Sequence, residues 1–406
     1  MIDAMSNRER FRATMHYQPR DRAPICDFGF WREVWDVWYD QGLPRWVNKT
    51  NSDLYFGMDY GFDAPVKATG IEIGLVPPFD EVVLEDRGDQ ELVQQFDGVQ
   101  VLRRKVGSSI PMPVGHRLVD RDSWRKYYVP RLDPAHPDRY PPDFDERVKE
   151  WADPNRDSVI ALPGGKYCGG LYGWLRNWMG VEKLSLVVYD DPAWFEEMVT
   201  TVADCIIGVL SRVLATGGHF DACPLWEDMC YNAGPLLSPQ HFKRYLVPHY
   251  RRISDLVRKH GVDVIWVDCD GKIDSLMPLW LDAGVNCMFP MEIGTWGADP
   301  VRYRKEYGRD LLMLGGFDKH ILARSKREIE QEVHRLAPLM EEGGYIGYCD
   351  HRVPPNVSLE NYRFYVETVR RVWGKDLNLR AMDCDGSKAS WDRDSSDAKR
   401  WKGGAA

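Results

Sequence analysis

The chain has 406 residues, 44% of them hydrophobic, which supplies apolar surface for one large α/β domain or two ordinary ones and excludes a disordered chain. Its 53 Lys and Arg against 62 Asp and Glu give a net charge of −9, so no field of basic charge exists to neutralise nucleic acid or anionic lipid. No stretch approaches the roughly 20 apolar residues of a membrane span, and the charged N-terminus around Asp3, Arg8, Glu9 and Arg10 does not read as a signal peptide, so the protein is expected in the cytoplasm.

Residues 23–28 and a weaker run at 54–60 supply two strands. Residues 66–135 break the rhythm, because runs at 71–76, 81–85 and 98–106 and a proline-rich tract around 110–114, with an Asp97-Gly98 turn, read as antiparallel hairpins. This region is expected to be an inserted lid beside the mouth of the main domain. From residue 158, apolar runs at 159–162, 222–225, 262–267, 287–289, 311–314 and 345–348 alternate with helical patterns at 191–215, 239–260, 273–283, 301–307, 326–341 and 359–372. Eight βα units are the pattern of an α/β (β/α)8 TIM barrel, here spanning residues 1–379. The competing open sheet is disfavoured because no Gly-x-Gly-x-x-Gly follows the first strand. Residues 380–406 are polar, rich in Gly and Ser, and expected to be poorly ordered. Nine cysteines stand singly in apolar runs without a C-x-x-C pair, as small buried hydrophobes do.

In a barrel the C-terminal strand ends face one mouth, and there Asp268, Asp270, Glu292 and His351 would meet. Three packed carboxylates repel one another unless a cation neutralises them, so a divalent metal is expected on this set, and its oxygen-rich donors with one imidazole suit zinc, iron or manganese. Taken singly, each residue also has a plain reading: a helix cap, an arginine partner, a half-buried histidine. Glu227 is the candidate general base with Asp228 orienting it, and His351 and Asp318 complete the catalytic set. The alternatives are a charged loop before Ser238-Pro239 and a helix N-cap at Asp318 or His320. The aromatic segment carrying Tyr172 and Trp174 could wall a pocket, and Tyr231, His320 and Arg352 are further expected substrate contacts.

Several segments together resemble the uroporphyrinogen decarboxylase superfamily, which includes the zinc-dependent corrinoid methyltransferases. They are Asn7-Arg8-Glu9-Arg10-Phe11 with Asp21-Arg22-Ala23-Pro24, Gly234-Pro235-Leu236-Leu237-Ser238-Pro239 with His249-Tyr250, Leu281-Asp282-Ala283-Gly284-Val285-Asn286, and Val353-Pro354-Pro355. The likeness covers most of residues 6–372. It implies a methyltransferase or demethylase that moves a methyl group between a small methylated substrate and a corrinoid or tetrahydrofolate carrier. On the methyltransferase pattern Asp268 falls on a histidine, Asp270 on a cysteine, Glu292 on the glutamate and His351 on a second cysteine, so hard oxygens stand where thiolates activate thiols. Cys269 would become a ligand only if the alignment slipped by one, and alternation turns it to the opposite face. The decarboxylase branch grips its polycarboxylate with an arginine-rich loop after the first strand. Here that loop reads Cys26-Asp27-Phe28-Gly29-Phe30-Trp31-Arg32-Glu33, acidic and aromatic. No D-x-H-x-x-G segment is present, so a corrinoid would arrive on a separate protein, and the resemblance also implies a homodimer. A metal-free decarboxylase or lyase for a small acid, and a non-catalytic ligand-binding barrel, are the competing expectations.

Overall fold

The computed structural model describes residues 4–59, 67–105, 111–163 and 169–374. The tail at 380–406 lies outside these residues. Two-residue strands β1 (Lys67–Ala68) and β6 (Ile160–Ala161) pair in parallel, and a bridge from Ala161 to Ala222 leads to β7 (Cys223–Trp226). From β7 the order continues through β10 (Ile265–Asp268), β11 (Cys287–Phe289), β12 (Leu312–Leu314) and β13 (Tyr345–Ile346), every pair parallel. Between β7 and β10 the chain makes a small antiparallel hairpin of β8 (Cys230–Tyr231) and β9 (Gly234–Pro235). Beyond β13 a parallel bridge joins Val353 to Phe30, next to the apolar segment at 23–28. Among the described residues no ladder joins that segment to β1. The architecture is an α/β fold around a parallel sheet, in the strand order a barrel requires.

Side chains alternate across the sheet as the pleat dictates. Phe28, Ala161, Ala222, Trp266, Phe289, Leu314, Ile346 and Tyr348 belong to one buried cluster on the inner face, whereas Ile160, Leu225, Val267, Met288 and Met313 pack outward in the larger core with the helices. Those helices start where local chemistry says they should: Ser325 caps Lys326–Glu342 in a capping box with Glu328, and Ser358 caps Leu359–Val372. No helix among the described residues is long and apolar enough to cross a membrane. Seven cysteines, Cys26, Cys205, Cys223, Cys230, Cys269, Cys287 and Cys349, are free and buried as expected, and Cys168 and Cys384 lie outside the described residues.

Of the weak run at 54–60, the described residues 54–59 form no strand, and residue 60 lies outside the described residues. Ser52–Phe56 is a short helix that stops at Gly57 in the left-handed conformation (φ 68°). The parallel strand comes later, at β1. Within 66–135 the chain builds one four-stranded antiparallel sheet from β2 (Val82–Asp86), β3 (Gln90–Gln94), β4 (Val99–Arg104) and β5 (Met112–His116), turning at Gly98 (φ 83°). Residues 71–76 form no strand, and 121–132 are helical. The aromatic segment expected as a loop is a helix at Gly173–Met179, and the antiparallel sheet stands against it, with His116 Nδ1 3.1 Å from the Asn177 carbonyl oxygen.

Candidate functional site

Strand register gathers the acidic residues. Asp268 at the end of β10 is level with Trp226 on β7 and Phe289 on β11, so the chain leaves the sheet at one height in all three and delivers Glu227-Asp228, Cys269-Asp270 and Glu292 to one end. Pairing continues past the strands: Glu227 N donates to Asp268 O at 2.8 Å, Cys269 N to Phe289 O at 2.8 Å, and Asp350 N to Phe317 O at 2.8 Å. The last bond brings His351 to the same rim.

The ligand atoms of Asp270, Glu292 and His351 all lie within 4.8 Å of one another. His351 Nε2 is 3.8 Å from Asp270 Oδ2, too long for a hydrogen bond and close to the separation of two ligands each about 2.1 Å from one ion. Asp268 belongs to a second such group, with Asp228 and Asp270. The four expected ligands therefore divide into two sets that share Asp270. Cys269 packs into the outer core, on the face opposite the inner series, as alternation requires.

The electrostatics of the cluster express its crowding. Burial, then the charges of Asp228 and Glu292, push the Asp270 carboxyl up to about 8. Burial, with Lys319 and Arg352 adding to it, holds His351 down at about 3, so its imidazole is neutral at neutral pH. Asp228 is also raised by burial, against the pull of Arg176. Asp228 keeps φ at 40°, in the left-handed region that Asp tolerates better than most residues, and the Arg176 guanidinium donates to its carbonyl.

Glu227 is not arranged as a base. Its Oε1 accepts Leu171 N at 2.7 Å and the Tyr250 hydroxyl, and its Oε2 accepts Tyr172 N at 2.9 Å and Gly173 N at 2.7 Å. Four donors fill the four lone-pair sites of the carboxylate, and the residue is fully buried. It anchors the N-terminus of the Gly173–Met179 helix. Gly173 is required there because a Cβ would sit 2.4 Å from the Glu227 carbonyl oxygen.

Other expected site residues separate into roles. Asp318 is the N-cap of the short helix Lys319–Ala323, and its Oδ1 lies 2.9 Å from both His320 N and His320 Nδ1. Tyr172 and Trp174 are buried core residues, Trp174 stacking on Trp178 at 5.7 Å. Tyr231 is exposed and faces Trp296 across 6.0 Å. Arg352 lies over the Phe28 ring at 5.3 Å.

Several contributors escape a reading by strand ends alone. Lys319 Nζ is 3.1 Å from Glu292 Oε1 and 3.7 Å from Asp350 Oδ1. Trp296, one helical turn past Glu292, donates Nε1 to its Oε2 at 2.5 Å. Asp350 is buried and accepts Gly294 N at 2.8 Å and Lys319 N at 3.1 Å, tying three loops together, and burial raises its carboxyl to about 6. His351 is clamped between Trp31, stacked at 5.8 Å, and the edge of Phe28 at 5.2 Å. Lys319 and Asp350 lie in Gly315-Gly316-Phe317-Asp318-Lys319-His320 and Cys349-Asp350-His351-Arg352, next to Asp318, His320 and His351, so the signal for them is present in the sequence.

The family model for uroporphyrinogen decarboxylase (URO-D) matches residues 176–372. Uroporphyrinogen decarboxylase of Syntrophotalea carbinolica is 25% identical over 202 residues, covering 48% of this chain and 53% of that protein. A Thermus thermophilus enzyme of the same name is 29% identical over 148 residues, 34% and 38% of the two chains. The chain thus spans about half the length, or less, of these curated relatives. In fold it is similar to a methyltransferase from Methanosarcina mazei, with a TM-score of 0.54 at 13% identity, covering 90% of this chain and 99% of that one. The matched segment carries every strand end of the acidic cluster, and these matches support a relation to the uroporphyrinogen decarboxylase-like superfamily.

Proposed function

We propose that the protein is a metal-dependent methyltransferase or demethylase on a closed (β/α)8 barrel, moving a methyl group between a small methylated substrate and a corrinoid or folate carrier. The observation that carries this reading is the convergence of Asp270, Glu292 and His351 within 4.8 Å of one another. Two carboxylates and a neutral imidazole at that spacing fit a divalent ion, and Asp270, raised by burial and then by the charges of Asp228 and Glu292, is a group whose ionised form a bound cation would favour. Such an ion, when bound, supplies Lewis acidity toward a substrate oxygen or nitrogen.

The chain's own residues prepare the rest. Trp31 and Phe28 fix the plane of His351, and Lys319 and Trp296 each hold one oxygen of Glu292. Asp228, half-buried and with its carboxyl raised by burial, stands beside Asp270 as the proposed proton-handling group in place of Glu227. The antiparallel sheet of β2 to β5 is the proposed lid, coupled to the site through the Gly173–Met179 helix that Glu227 anchors.

Metal content of the purified protein tests this, measured for the wild type, Asp270→Ala and His351→Ala alongside methyl transfer to added cob(I)alamin. A stoichiometric divalent ion in the wild type, lost in both variants together with transfer, is expected. Wild-type protein that neither retains nor takes up an ion would sink the reading. A metal-free decarboxylase or lyase is the second reading, favoured by one observation: at about 8, Asp270 keeps a proton at neutral pH and could donate it directly. Turnover that survives chelators would select it.

A further inference from the structure

Lys319 occupies a constrained cationic position in the cluster. Its side chain is 12% exposed, with Nζ 3.1 Å from Glu292 Oε1, 3.4 Å from Thr295 Oγ1 and 3.7 Å from Asp350 Oδ1. Its backbone N–H is held by Asp350, whose other oxygen takes the N–H of Gly294. One lysine therefore links the loops after β11, β12 and β13, and two of those loops carry Glu292 and His351. Buried carboxylates require a partner charge, and here the chain provides one itself.

We infer that Lys319 is the built-in counter-cation of this site, a positioning residue that holds the three loops together without an ion and weakens the grip on a divalent ion when one binds. The inference rests on the metal reading above. Lys319 acts on a bound ion in two opposed ways, since it orients Glu292 and repels the ion. Glu292 has a second, independent restraint in the indole N–H of Trp296 at 2.5 Å, and is 5% exposed. Its orientation survives loss of the ammonium, so the repulsion decides the sign. Both charges are shielded from water, where Coulomb terms are least screened.

The test is a Mn2+ titration of the chelator-stripped full chain, following free ion by electron paramagnetic resonance, with melting temperatures recorded in parallel. Lys319→Met is expected to bind Mn2+ at least about tenfold more tightly than the wild type, the direction Coulomb's law sets. Lys319→Arg, which keeps the charge, should stay within roughly threefold. Metal-free Lys319→Met should melt below the wild type, and the gap should close as Mn2+ is added. Equal or weaker binding by Lys319→Met, or equal tightening in Lys319→Arg, overturns the inference while leaving the metal reading intact. Absence of binding by the wild type and every variant overturns both. Should Lys319→Met fail to fold, Lys319→Gln removes the charge, keeps a donor for Glu292, and carries the same expectation.

Discussion

Glu227 and Asp228 are adjacent acids with opposite environments, and the difference is decided by hydrogen-bond count. Glu227 meets four donors and is spent on structure, while Asp228 accepts Asp270 N at 3.2 Å and stays with the cluster. Replacing Glu227 by Gln keeps the shape but turns one oxygen into an N–H donor that faces other donors. Glu227→Gln should therefore lose roughly 2–4 kcal/mol of stability, the cost of breaking a buried charged network. Tyr250→Phe removes one donor of the four and should lose about 1 kcal/mol. Urea midpoints at constant slope would measure both. A Glu227→Gln protein as stable as the wild type, but inactive, would return Glu227 to the role of base. No local pattern reveals this assignment, because the donors come from residues 171–173 and 250, far from Glu227 in sequence.

At the scale of elements, the helix Asn7–Met15 is fastened to the segment before β10 by His16 at its C-cap, with Nε2 2.8 Å from Asp263 Oδ2. The Asp263 hydrogen bond raises His16 above its ordinary value of 6.5, and His16 in turn lowers Asp263 below 3.8. A raised histidine contributes stability that is complete below its unfolded value and is lost as pH rises through the folded one; a lowered aspartate contributes above its unfolded value and loses it in acid. The pair thus stabilises between about pH 4 and 6.5 and fades above that window. The side chains are 35% and 57% exposed, so the effect is small and screened by salt. The melting-temperature deficit of His16→Ala should be largest near pH 5–6 and shrink at pH 8 and in high salt; a pH-independent deficit would show that only packing was lost. Elements were legible in the sequence where local chemistry decides them, as at Ser325 and Ser358, which cap the last two long helices. They were not legible where tertiary partners decide. The Gly173–Met179 helix reads as a glycine-rich aromatic loop because the carboxylate that starts it arrives from Glu227, and Ser52–Phe56 reads as a strand because its apolar residues conceal a helix ended by Gly57.

At the scale of the molecule, parallel register turns residues distant in sequence into one rim, so the location of the site could be read from strand ends while its internal partition could not. Alternation correctly sends Cys269 outward, but only side-chain geometry shows that Asp268 groups with Asp228 whereas Glu292 groups with His351. That partition has a thermodynamic consequence. An ion that binds only the folded chain stabilises it in proportion to its affinity, by about 2.7 kcal/mol at one hundred times the dissociation constant. If the ion sits on Asp270, Glu292 and His351, then Asp270→Ala and His351→Ala should abolish the rise in melting temperature on adding Mn2+ or Zn2+, while Asp268→Ala should keep most of it. If the four residues act as one set, as the strand ends alone suggested, Asp268→Ala should lose as much as His351→Ala. Differential scanning fluorimetry of these three variants against the wild type, each stripped and then titrated, distinguishes the two arrangements without a substrate. Unchanged response in His351→Ala with loss in Asp268→Ala would move the ion to the Asp228, Asp268 and Asp270 group and leave His351, clamped by Trp31 and Phe28, as a group for substrate or proton.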